Sequence, residues 1–99
     1  MNNTTCFIKN DEYEVNEVND TLVILEPNFE EVHILRAIEK SIWNLCDSNN
    51  SFVDIVTALE TQYNAQGIEN DVREFLVSLL EKGIIRIHQS DNGQEASNG

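Results

Sequence analysis

The chain has 99 residues, of which 18 are acidic and 6 basic, for a formal net charge of -12, and 40% of it is apolar. That supports one small domain with one core, and it disfavours nucleic acid, whose phosphates require clustered Lys and Arg. No run approaches the roughly 20 apolar residues of a membrane span and no basic-then-apolar N-terminal segment marks a secretory signal, so a cytoplasmic protein with no membrane partner is expected.

Residues 1–10 are Asn- and Thr-rich with only Phe7 and Ile8 as large apolar groups, and residues 89–99 are polar without periodicity. Both are expected to be disordered tails around a folded segment 11–88. Tyr13-Glu14-Val15-Asn16 alternates as a half-buried strand does. Asn19-Asp20 reads as a turn, and Thr21 to Leu25 is a nearly continuous β-branched apolar run that suits a strand covered on both faces. Pro27-Asn28 breaks it. Glu31 to Leu35 then resumes strand character, with Val32 and Ile34 on one face and Glu31, His33 and Leu35 on the other. The spacing predicts a three-stranded antiparallel meander whose last strand lies at an edge.

Three helical patterns follow. Ile38, Ile42, Leu45 and Cys46 form the stripe of a first helix over 37–46, with Trp43 on its flank. Asp47 to Asn50 reads as a loop, and Ser51 as an N-cap with Asp54 three residues on, a partial capping box. Phe52, Ile55, Val56, Leu59 and Tyr63 share one face of the second helix. The third spans 69–82, with acidic residues at its start, Lys82 at its end and Gly83 placed as its left-handed C-terminal residue. Ile84 to Ile87 suits a short final strand. The class is α+β, winged helix-turn-helix-like: a three-stranded antiparallel sheet followed by three helices.

On a wheel of about 100° per residue with Val72 at zero, Phe75, Leu76, Leu79 and Leu80 give the third helix a broad core face. Val77 falls outside it, near about 140°, and Arg73 lies beside Leu80. Val77 is then either an isolated exposed valine or part of a groove floored by Leu76, Val77 and Leu80 and rimmed by Arg73. A DNA-reading helix would carry Arg, Lys, Asn or Gln to base edges. This one carries Glu69, Asp71, Glu74 and Glu81 against Arg73 and Lys82.

Catalytic signatures are missing from the sequence. His33 and His88 have no metal-ligand spacing, and the four glycines are too scattered for a phosphate loop. Cys46 has no adjacent base to activate it, and Glu30-Glu31 reads as a solvated pair. Cys6 and Cys46 read as two free thiols rather than a disulfide. No enzyme, no cofactor and no metal are expected.

Several stretches resemble the PqqD-like family: Val23-Ile24-Leu25-Glu26-Pro27, Val32-His33-Ile34-Leu35, Ile42-Trp43-Asn44-Leu45-Cys46-Asp47, Ile55-Val56-Thr57-Ala58-Leu59, Tyr63, and Asp71 to Leu76 with Leu79 and Gly83. The resemblance runs from about Val15 to Ile87 and rests on the order and spacing of apolar positions. Members are recognition elements of ribosomally synthesised peptide pathways. The resemblance implies a non-catalytic domain that captures the leader of a precursor peptide and presents it to modifying enzymes. Those would be a leader protease and cyclase, as for a lasso peptide, or a radical SAM enzyme. It implies leader binding by strand addition beside the third strand. Carried over by position, the leader-binding residues are Glu31, Val32, His33, Ile34 and Leu35 with Arg73, Leu76, Val77 and Leu80. The chain has Leu35-Arg36 where members often have Leu-Asn, which blurs the start of the first helix, and Asp47-Ser48 where they often have Asp-Gly. The alternative is a winged-helix adaptor that binds a folded partner through the same surface; the oligomeric state stays open.

Overall fold

The computed structural model describes residues 1–28 and 30–88. Nine elements follow in chain order: β1 (Cys6–Lys9), β2 (Glu14–Val18), β3 (Thr21–Leu25), β4 (Val32–Leu35), α1 (Ile38–Asn44), β5 (Asp47–Ser51), α2 (Phe52–Gln62), α3 (Glu69–Glu81) and β6 (Ile85–His88). The expected meander is one antiparallel sheet of order β2-β3-β4, and three helices follow. A second sheet, of order β5-β1-β6, was not expected.

Each hairpin residue has a physical reason. Asn19 and Asp20 both sit at positive φ, 52° and 67°, the two-residue turn whose twist matches that of paired strands. Thr21 to Leu25 alternates between half-buried and buried, with Leu22 and Ile24 in the core. The strand is therefore sealed fully on one face only, short of the two-faced burial its composition suggested. At Ser51 the capping box is complete. The Ser51 hydroxyl accepts from the Asp54 amide at 3.2 Å and the Asp54 carboxylate accepts from the Ser51 amide at 3.0 Å; the shorter Asp suffices where Glu or Gln is usual. The first helix is shorter than expected, starting at Ile38 with Ala37 at its N-cap, a residue with no side-chain group to cap it.

Two expectations are corrected. Residues 1–10 are not a disordered tail: β1 runs through them, pairing antiparallel with β5 on one side and β6 on the other. Phe7 at its centre is fully buried in the common core with Phe52, Ile55, Leu59 and Leu76. The segment 47–50 is not a loop but most of β5, paired with β1 through a register shift. Both errors have one cause. A four-residue strand with one core residue, and a wholly polar strand, carry no periodicity; their pairing is dictated by backbone hydrogen bonding to distant segments. The expected tail 89–99 lies outside the described residues.

The end of α3 is pinned to the sheet. Gly83 takes φ 79°, the left-handed conformation that glycine adopts without strain. The Tyr13 hydroxyl donates to the Lys82 carbonyl at 2.7 Å, and the Asn10 amide group to the Gly83 carbonyl at 2.9 Å. The first satisfies a carbonyl that the helix end leaves open, and the second holds the turn that follows it. Burial, and after it the negative charges of Glu26 and Glu12, push the Tyr13 phenol above its ordinary value, so it stays protonated and keeps donating. Phe7→Ala is expected to cost about 3–5 kcal/mol, the range for truncating a fully buried aromatic. Urea unfolding measures this, and a dispensable N-terminal segment would instead leave the midpoint unmoved.

Candidate functional site

The parity of the β2-β3-β4 ladder decides which backbone groups of β4 are free. The Asn19-Asp20 turn closes on Val18 and Thr21, so Thr21, Val23 and Leu25 direct their N–H and C=O groups toward β2. Leu22, Ile24 and Glu26 then face β4. The Glu26 amide donates to the Glu31 carbonyl at 3.3 Å, consistent with that parity. In the β3–β4 register, Leu22 opposes Leu35 and Ile24 opposes His33. The backbones of Glu31, His33 and Leu35 are thus turned inward to β3, and those of Val32 and Ile34 outward, along an edge with no further strand among the described residues.

That edge borders a cleft of about 280 Å³ between β4 and α3. Its strand wall is Val32, His33, Ile34 and Leu35; its helix wall is Phe75, Ser78, Leu79 and Lys82, with Glu39 at one end and Ile84 below. Val32 and Ile34 are about half exposed, at 52% and 48%, while Leu35 is buried. The His33 ring packs on the inner face, its Nε2 3.2 Å from a Glu26 carboxylate oxygen and 3.9 Å from one of Glu31.

Of the strand residues expected from sequence, Val32, His33, Ile34 and Leu35 line the cleft, and Glu31 does not; its carboxylate instead approaches His33. None of the four helix residues lines it. Leu76 is wholly buried in the core. Arg73 stacks its guanidinium over Phe52 at 4.5 Å and pairs with Glu69 at 3.1 Å, toward α2. Leu80 packs against the core, and neither it nor the exposed Val77 lines the cleft. On the wheel used above, Ser78, Lys82, Phe75 and Leu79 lie at about 240° to 340°, on the other flank from Val77. The core face is the expected one, and the cleft lies along the flank opposite the one expected from sequence. Ser78 was the available signal: a small side chain between bulky ones, where a second backbone can approach closely.

The structure also brings together a group the sequence spacing did not suggest. Donor atoms of Glu26, Glu31 and His33 lie within 4.8 Å of one another across the β3–β4 hairpin. They are the described residues with the donor types to hold a divalent cation, although the Glu26–His33 contact already engages the ring nitrogen. Cys46 is buried, its thiol 3.3 Å from the Ile42 carbonyl, and burial pushes its pKa up to about 12 against the lowering influence of Lys9. Cys46 and Cys6 are both free. Among the described residues no helix is long and apolar enough to cross a membrane.

A small α+β domain with an open strand edge facing a helix is the architecture of a strand-docking module. The chain belongs to the PqqD family: the model of coenzyme PQQ synthesis protein D matches residues 21–85. A PqqA binding protein of Methylococcus capsulatus (strain Bath) is 43% identical over 70 residues, 71% of this chain and 73% of the relative. Among solved structures, the fold matches TbiB1 in complex with the TbiA(beta) leader peptide, with TM-score 0.70 and 22% identity over 93% of this chain and 99% of that one. It also matches part of the heterocyclase TruD, with TM-score 0.61 and 19% identity over 94% of this chain and 12% of that one.

Amide hydrogen exchange on the free protein checks the ladder parity directly. The Val32 and Ile34 amides are expected to exchange much faster than those of His33 and Leu35, and equal protection along β4 would overturn the assignment. Because burial pushes the Cys46 thiol pKa up to about 12 and so keeps the thiol protonated at pH 8, iodoacetamide at pH 8 should alkylate Cys6 and leave Cys46 intact until the protein is denatured, as mass spectrometry would read.

Proposed function

We propose that this protein is a non-catalytic recognition module that captures the leader of a ribosomally synthesised precursor peptide as an added strand on β4 and presents it to a modifying enzyme. The open backbone of Val32 and Ile34 beside the wall of α3 is the observation that carries this reading. Family membership supports it, as do a relative named for binding PqqA and a fold shared with a leader-peptide complex. The winged-helix-like shape serves a peptide here rather than DNA, in keeping with the net charge of -12. Two free thiols suit a reducing, cytoplasmic setting.

The energetics assign separate tasks to seam and cleft. Ordering each guest residue costs about 1–2 kcal/mol of backbone entropy, and each ladder hydrogen bond returns about 0.5–1.5 kcal/mol net. Pairing with Val32 and Ile34 is thus close to neutral and insensitive to sequence. Apolar guest side chains pointing inward onto Phe75 and Leu79, each worth about 1.5–3 kcal/mol when buried, decide the outcome. Their alternating neighbours lie beside Val32 and Ile34 on the outer face. The leader-binding set becomes Val32, His33, Ile34 and Leu35 with Phe75, Ser78, Leu79 and Lys82. The modifying enzyme, whether a radical SAM enzyme or a protease and cyclase pair, would act on the core segment that the bound leader holds in reach.

The test titrates a labelled synthetic precursor leader by fluorescence anisotropy. Ile34→Pro deletes an outward donor without touching the β3 ladder and should weaken binding at least tenfold. Phe75→Ala should do the same, and Val77→Asp, off the cleft, should bind as wild type does. Undiminished binding by a folded Ile34→Pro variant would sink the strand-addition mechanism.

A further inference from the structure

We propose that the peptide slot does not end with β4 but continues into a second pocket between α1 and the start of α3, which takes one large apolar leader side chain with a Lys or Arg beside it. This rests on reading the β4 cleft as a peptide slot and adds to it a position-specific requirement on the peptide.

The second pocket has a volume of about 230 Å³. That is below the roughly 300 Å³ at which small-molecule and cofactor pockets begin, so it suits a single side chain. Ile38 and Ile42 of α1 and Ile68, Val72 and Phe75 along α3 make an apolar lining. Glu39 and Asp71 complete it and are its charged residues. Two observations identify the occupant. The first is continuity: Glu39 and Phe75 line both this pocket and the β4 cleft, so one extended chain can occupy both. β4 ends at Leu35 and α1 begins at Ile38. A guest strand paired with Val32 and Ile34 that runs on past Leu35 therefore meets the first turn of α1, where Ile38 and Glu39 open the second pocket.

The second observation is charge. Among the described residues Glu39 and Asp71 form no ion pair; Lys40 pairs with Glu17 and Arg73 with Glu69, and Arg36, exposed one turn before Glu39, pairs with neither carboxylate. Two unpaired carboxylates at an apolar pocket favour a guest cation, and they penalise a guest acid at the same position. At the α3 C-terminal end of the cleft stands Lys82, whose ammonium donates to the Ser78 hydroxyl at 3.0 Å. Glu26 and Glu31 lie at that same end, near the Tyr13 hydroxyl that donates to the Lys82 carbonyl, so the guest's direction is set by the second pocket, where an apolar lining carries two carboxylates.

The experiment needs no known precursor. A random peptide library displayed on phage is selected on wild-type protein and on the double variant Glu39→Lys, Asp71→Lys. Wild type should enrich peptides that carry a large apolar residue next to Lys or Arg and that lose binding to Ile34→Pro. The double variant should instead enrich Asp or Glu at that position. Replacing the selected cation with Glu should weaken binding to wild type about tenfold and restore it on the double variant, a rescue that a misfolded protein cannot give. If selected peptides depend on Ile34 yet bind wild type and double variant alike, the second pocket is idle and the strand-addition reading stands alone. If no selected peptide depends on Ile34, both fall together.

Discussion

The hydrogen-bond parity of one small sheet governs what this molecule can bind. Two residues, Asn19 and Asp20, accept positive φ and so make a tight turn. From that turn the alternation runs without a slip through β3 and into β4. It turns the backbones of Val32 and Ile34 to the outside and those of His33 and Leu35 to the inside. Shifting the register by one residue would exchange the two sets. It would also swing Leu35 out of the core and Ile34 into it, so the hydrophobic pattern and the turn enforce the same answer.

The helix facing that edge is held by a different kind of contact. Its rotation follows from burying Val72, Leu76 and Leu79. Its C-terminal end is anchored by Tyr13 donating to the Lys82 carbonyl and by Gly83 turning the chain back. Those anchors bring Phe75, Ser78, Leu79 and Lys82 to the cleft. The resulting wall sets the small Ser78 among bulkier side chains, with the Lys82 ammonium bonded to its hydroxyl. Near the Tyr13 anchor, the Glu26–His33 contact ties the β3–β4 hairpin across its inner face. His33 thus serves the edge by holding its own strand in place and presents only part of its ring to the cleft.

How much of this could be seen in the residues alone varied with the range of the interaction. The meander, its edge strand, the capped second helix and the glycine that ends the third are local features, and periodicity and capping chemistry revealed them. The strands Cys6–Lys9 and Asp47–Ser51 were invisible because they exist through pairing with segments roughly forty to eighty residues away along the chain, and their side chains barely record it. The helix wall of the cleft fell between these cases. A wheel ranks residues by angle but does not say which flank of an apolar stripe meets a neighbour. Val77 and Leu80 looked like the widened side, while the neighbouring edge lay across from Phe75 and Ser78. The Glu26, Glu31 and His33 cluster was hidden for a related reason, since it assembles only when the hairpin closes.

The sheet β5-β1-β6 has a further implication. Cys6 stands directly opposite His88 in the β1–β6 register, so the described fold begins and finishes at adjacent points on one surface. A body with that geometry can be grafted into an exposed bend of a larger polypeptide without stretching its host, because entry and exit need almost no separation. The same pairing joins segments about eighty residues apart along the chain, the kind of long-range contact that slows folding.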